Sequence, residues 1–195
     1  MTHPHIAAQV GDRTFTEAEV EARVATLRRG PLAPRLPRPG TADARNLRRW
    51  VVQVMTYEAV VEEEAARLNL PPQPPQPPQP PQAEAELSLA DALRMGGVTA
   101  AVLTSLPVAP VVRARVTADI AVPEPAVRDY YARNGDLHPG PYEAERPAIE
   151  RELHQAAADR HFALWLERRH AESVTLMPGY EHPADPHHAD ATHRH

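Results

Sequence analysis

Residues 71–82 read Pro-Pro-Gln four times over. Proline has no amide hydrogen and holds φ near about −65°, so no helix or central strand can run through this stretch. It is expected to form a polyproline II rod of roughly 37 Å at about 3.1 Å per residue, serving as a spacer or a loop insertion. Any folded structure must therefore be assembled from what lies on either side. The sequence divides accordingly into 1–70, a strand and two helices; 71–82, the spacer; 83–177, the rest of a helical module; and 178–195, a tail of different composition.

The flanking segments carry helix signals. Ile6–Val10 is β-prone and Gly11-Asp12 is a turn pair leading to Arg13, Thr14 and Phe15. Thr16 stands at an N-cap with Glu19 three residues on, the pattern of a capping box, and Val20, Val24 and Leu27 then repeat on one face until Gly30. Prolines 31, 34, 37 and 39 keep the next residues extended. From Thr41 or Asp43 a long amphipathic helix is expected to reach Leu70, burying Leu47, Trp50, Val51, Val54, Met55, Ala59, Val61, Ala65 and Leu68. Glu62, Glu63 and Glu64 would form its wet face. Beyond the spacer, Ser88 and Asp91 suggest another capping box for a short helix to Met95, and 98–106 makes a second short helix. Residues 111–116 and 120–122 read as extended, 124–133 as a helix closed by Asn134-Gly135, and 145–172 as the last long helix with Pro147 in its first turn. Its core stripe would be Ile149, Leu153, Ala156, Ala157, Leu164 and Trp165, and Val174–Leu176 would be a closing strand.

Composition excludes several kinds of chemistry. Cysteine is absent, which removes disulfides, thiolate nucleophiles and cysteine-ligated metals. Every basic residue is arginine, so no lysine can form a Schiff base. The net charge of −5 argues against a nucleic-acid partner, although Arg28, Arg29, Arg35, Arg38, Arg45, Arg48 and Arg49 make a local basic stretch, read as a solvated loop and helix start. Residues 1–10 lack the pattern of a secretory signal and no apolar run is long enough for a bilayer, so the expectation is a cytoplasmic protein with no membrane partner. Serines 88, 105 and 173 have no Gly-rich oxyanion turn beside them.

The tail concentrates ligand chemistry. Residues 182–195 place His182, Asp185, His187, His188, Asp190, His193 and His195 in a segment with almost nothing apolar to bury. Imidazole nitrogens and aspartate oxygens suit a divalent transition metal such as zinc, copper, nickel or iron. The same composition also describes a solvated His/Pro tail that holds metal only on a purification column. Glu150, His154 and His161 share one side of the last helix, where they offer either a wall for a metal or an ordinary polar face.

Three stretches resemble a known family. Ala8-Gln9-Val10-Gly11-Asp12-Arg13-Thr14-Phe15-Thr16-Glu17-Ala18-Glu19-Val20, residues 116–134 with Ile120-Ala121-Val122, Val127 and Tyr130-Tyr131-Ala132-Arg133-Asn134, and residues 149–176 are similar to the SurA-like chaperones and parvulin-type peptidyl-prolyl isomerases. The resemblance implies a mainly α fold, like the SurA N-terminal module, with a small two-stranded sheet from the N- and C-terminal strands. It would bring His3 and His5 toward the tail, and it puts a binding groove between the first two helices and the last. In such proteins a parvulin domain of about a hundred residues follows the Tyr-Tyr helix, whereas here only residues 135–144 intervene, so prolyl isomerisation is not expected.

The implied function is a chaperone-type protein with a polypeptide or small-molecule ligand and a metal-binding tail. Short terminal strands would also permit a homodimer by strand exchange. The ending His182-Pro183-Ala184-Asp185-Pro186 resembles actinobacterial proteins met among natural-product genes, some labelled malonyl-CoA:acyl-carrier-protein transacylases. This chain has no Gly-x-Ser-x-Gly elbow. The alternative it leaves is a metal-dependent enzyme or accessory protein of natural-product biosynthesis, with the tail as its mononuclear site.

Overall fold

A computed structural model describes residues 5–31, 33–71 and 96–181. The spacer from residue 72 onward, the helix expected before Met95 and the tail from His182 lie outside the described residues. Among those described, the fold is mainly helical with one small antiparallel sheet. The elements are β1 (Ile6–Val10), β2 (Arg13–Thr16), α1 (Glu17–Arg29), a 3₁₀ turn (Ala33–Arg35), α2 (Ala42–Arg67), α3 (Gly97–Ser105), α4 (Ala109–Val116), α5 (Glu124–Arg133), α6 (Tyr142–Ser173) and β3 (Val174–Leu176). They fall into two compact units: residues up to Leu70 with those from Arg168 onward, and the residues between.

The first unit is organised on β1, which lies between the other two strands in the order β2-β1-β3. The terminal strands pair as expected, with Ala8 opposite Leu176 and Val10 opposite Val174. The expected sheet had two strands, and the third is Arg13–Thr16, which returns antiparallel to β1 through Gly11-Asp12. Gly11 sits at φ +52° in that turn and its amide donates to the Ser173 carbonyl at 3.2 Å, so the hairpin turn also meets the start of β3. A register shift between Ile6 and Ala8 lets two consecutive residues, Ala7 and Ala8, both be fully buried.

Both long helices of this unit begin at hydroxyl caps. Glu19 N–H donates to Thr16 Oγ1 at 3.3 Å while Thr16 N–H donates to Glu19 Oε2 at 2.7 Å, and Ala44 N–H donates to Thr41 Oγ1 at 3.2 Å. Of α1, Val20 and Val24 are buried; of α2, the stripe is Val51, Val52, Ala59, Val60, Val61 and Ala65 with neighbours. Trp50, expected in that stripe, is 37% exposed. Glu64, expected in water, is 4% exposed, because a period of 3.6 places it one turn after Val60 on the buried face. Arg67 Nε meets its Oε2 at 2.9 Å and offsets the charge. The helix ends at Arg67 rather than Leu70, since Asn69 turns left-handed at φ +52° and the Leu70 amide bonds back to the Ala65 carbonyl at 2.9 Å.

The second unit has its core at Val102, Val112, Val127, Ile149, Ala158, Phe162 and Leu166. Residues 111–116, expected to be extended, are helical in α4. The cost of β-branched residues in a helix is only a few tenths of a kcal/mol each. It is outweighed by what the helical spacing brings inward: Val112 is fully buried, and Arg113 reaches Asp159 of α6.

Helix α6 starts at Tyr142, earlier than expected, so Pro147 is not in its first turn and the Glu143 carbonyl loses a helical partner. The early start is held from α5. Tyr142 donates its hydroxyl to Glu124 Oε1 at 2.6 Å, Arg146 Nε meets Glu124 Oε2 at 2.9 Å, and the Arg128 guanidinium lies 4.5 Å from the Tyr142 ring centre. Of the expected stripe of α6, Ile149 is fully buried, but further along the helix the buried positions differ from those expected. Asp159, Phe162, Ala163 and Leu166 face inward while Leu164 is 56% exposed.

Candidate functional site

Every residue of the expected metal site, His182, Asp185, His187, His188, Asp190, His193 and His195, lies outside the described residues, as does His3. What is described is the root from which the tail leaves. After β3, Met177 N–H donates to the Ala7 carbonyl at 3.0 Å and Tyr180 N–H to the Met177 carbonyl at 3.1 Å. The Arg49 Nε of α2 donates to the Gly179 carbonyl at 3.1 Å, and Gly179 N–H donates to Glu181 Oε2 at 2.6 Å. Arg49 is buried, so this anchor is an interior guanidinium rather than a surface contact.

Tyr180 belongs to the same anchor. Burial, then the nearby carboxylates Glu17 and Glu21, push its phenol above the ordinary tyrosine value, with Arg48 acting in the opposite sense. Arg48 is itself ion-paired with Glu21. Two hydrogen bonds, Met177 N–H to Ala7 and Arg49 Nε to Gly179, thus tie the last described turn to the sheet and to α2 of its own unit. The β1–β3 register carries the exposed His5 and residues 179–181 to one end of the sheet.

Of the other candidate ligands, His154 and His161 are exposed on α6 and Glu150 lies 3.7 Å from Arg146. Among the described residues, no group of three or more His, Asp or Glu side chains is arranged to hold a metal ion. One histidine that sequence reasoning passed over is well placed in the first unit: His170, whose Nε2 is 3.0 Å from Thr56 Oγ1 and whose ring centre is 4.2 Å from that of Tyr57. Its only sequence signal was its position one turn before the closing strand.

A groove of about 340 Å³ opens in the first unit between β2, α1 and α2. Phe15, Ala22 and Met55 line it, and ion pairs of Arg13 with Glu62 at 2.7 Å and Arg23 with Glu58 at 2.9 Å stand at its walls. Arg13 also lies 4.6 Å from the centre of the Phe15 ring. The first two helices and β2 form its three sides. Its chemistry is an apolar floor with paired charges around it. That suits a peptide side chain or small amphipathic ligand.

Among the described residues no single helix is long and apolar enough to cross a membrane, and the two most apolar neighbours, α3 and α4, are bent through 118° at their junction. Residues 6–43, which take in β1, β2, α1 and the first residues of α2, match the model of a family described as a family of unknown function (DUF7158). No curated protein and no solved structure matches the chain.

Proposed function

We propose that the chain is a chaperone-type binding protein, SurA-like but without a prolyl isomerase domain, whose C-terminal residues 182–195 take a divalent transition metal. The observation that carries this reading is the antiparallel pairing of β1 with β3. A module of that kind needs its first and last strands in one sheet, with the first two helices packed beside them. The groove beside Phe15 and Met55 adds a place for a ligand side chain.

Two features of the chain support the lack of an isomerase domain and the role of the tail. The link between α5 and α6 is short and stitched to both: Tyr131 donates to the Gly140 carbonyl at 2.7 Å, and His138 Nδ1 lies 3.2 Å from Glu145 Oε2. The tail follows directly on the anchor made by Arg49 and Tyr180, which would lower the conformational entropy lost when its imidazoles gather round an ion.

Two measurements test the reading separately. Light scattering from a heat-unfolded client enzyme should fall when the protein is added in modest excess, without metal. No suppression at any ratio would refute the chaperone part. Elemental analysis of untagged, dialysed protein should find about one zinc, copper, nickel or iron ion per chain, lost on deletion of residues 182–195. Equal metal in both forms, or none in either, would refute the metal part.

A further inference from the structure

The second unit has a groove of its own, about 690 Å³, with residues 120–122 on one wall and α6 between Pro147 and Gln155 on the other. That size is typical of ligand sites. On the first wall, Ile120 N–H returns to the Thr117 carbonyl at 3.1 Å, and the Pro123 carbonyl accepts from Ala126 at 2.9 Å. Between them, neither the amides nor the carbonyls of Ala121 and Val122 make a backbone hydrogen bond among the described residues. A short non-helical run with open donors and acceptors can pair with another extended backbone.

The α6 wall supplies charge. Gln155 is committed to Asp159 at 3.2 Å, and Glu150 faces Arg146 at 3.7 Å. Arg151 and His154, exposed and three residues apart on one helix face, have no ion pair among the described residues. The complement of an exposed, unpaired guanidinium is a carboxylate. Ile120, Val122 and Pro147 leave aliphatic surface beside it.

We infer that this groove binds an extended polypeptide segment in which acidic side chains alternate with aliphatic ones. The segment pairs its backbone with Ala121 and Val122, rests its aliphatic side chains on Ile120, Val122 and Pro147, and presents a carboxylate to Arg151 with His154 alongside. The inference deepens the chaperone-type reading by naming a class of client, and it fails or stands independently of the aggregation assay.

The test is fluorescence anisotropy with a dye-labelled peptide of about eight residues alternating valine and glutamate, a length of roughly 26 Å when extended. Wild-type protein should bind it at least about tenfold more tightly than a valine–arginine counterpart. Methylating alternate backbone nitrogens of the peptide should weaken binding by a similar factor, a result that needs no change to the protein. Arg151→Glu should abolish binding and Arg160→Glu, elsewhere on α6, should leave it unchanged.

Equal affinity for the two charge patterns, indifference to N-methylation, or full binding by Arg151→Glu would each overturn the assignment. If Arg151→Glu instead converts a dimer to a monomer in sedimentation, a second copy of the chain covers the groove and the peptide assignment also falls. Suppressed client aggregation without peptide binding removes this groove alone, whereas peptide binding without suppression removes the chaperone reading and leaves the groove.

Discussion

Replacing Arg113 with methionine would strand the Asp159 carboxylate in the interior of the second unit. Asp159 is 1% exposed and its Oδ1 receives Arg113 Nε at 3.1 Å and Nη2 at 2.5 Å. The remaining donor is the Gln155 amide, at 3.2 Å from Oδ1 and 3.4 Å from Oδ2. Methionine keeps most of the aliphatic stem, so the loss isolates the charge. Breaking a buried pair from one side costs about 3–5 kcal/mol, a large part of the roughly 5–15 kcal/mol that holds a domain together. With a denaturant slope near 2 kcal/mol/M, the urea midpoint should fall by about 2 M.

Trp165, stacked on Phe162 at 5.5 Å, reports on this unit once Trp50 in the other is changed to phenylalanine. Arg113→Met with Asp159→Leu should recover most of the loss, because an apolar pair removes both desolvation costs together. A single-mutant cost under about 1 kcal/mol, or a double mutant as unstable as the two singles summed, would refute the claim that this ion pair is an interior, coupled one.

Three further expectations concern the described residues. Thr16→Ala removes the hydroxyl that caps the Glu19 amide while leaving the Thr16 amide bond to Glu19, and should lower stability by about 1 kcal/mol in a thermal melt, with Thr16→Asn close to wild type; equal losses for the two would refute the cap assignment. Acid should destabilise both units. The Arg67 pair holds the Glu64 carboxyl below its ordinary 4.5, the Thr16 amide and then its hydroxyl do so for Glu19, and the Tyr142 hydroxyl and then Arg146 for Glu124. A lowered folded value gives stability that is complete above the unfolded one and lost as pH falls through the folded one, so the melting temperature should drop below about pH 5 and Glu64→Gln should flatten that slope. Gly11→Ala meets a left-handed φ of +52° and places its Cβ 2.8 Å from Glu63 Oε1, so it should cost about 1 kcal/mol in chemical denaturation, with Glu63→Ala relieving only the steric part.

What could be read from residues alone was whatever depends on near neighbours. Thr16 with Glu19, Thr41, Gly30 and the Gly11-Asp12 turn each sit where the local signal placed them, because caps and turns are satisfied within a few residues. The misreadings share another cause. Glu64 carries the charge of its two neighbours yet occupies an inward position, which the Arg67 pair, with Arg169 acting in the same sense, makes tolerable. Valine-rich α4 is helical because of a partner 46 residues away. In α6 the alanines at 156 and 157 offered no phase, and Phe162 with Leu166 set it instead. Arg49 and His170 gave little sign of their roles, since the groups they meet, Gly179 and Thr56, are distant in sequence.

The central place of β1 has a consequence for how the molecule is made. Its partner β3 emerges from the ribosome after nearly every other described residue, so the amino-terminal hairpin has one unfilled edge throughout most of synthesis. Closing so long a loop is slow, and the edge invites pairing with a neighbouring nascent chain in the interval. A stop codon placed before Val174 would thus do its damage at the opposite terminus, leaving Ala8 and Val10 without the strand that covers them.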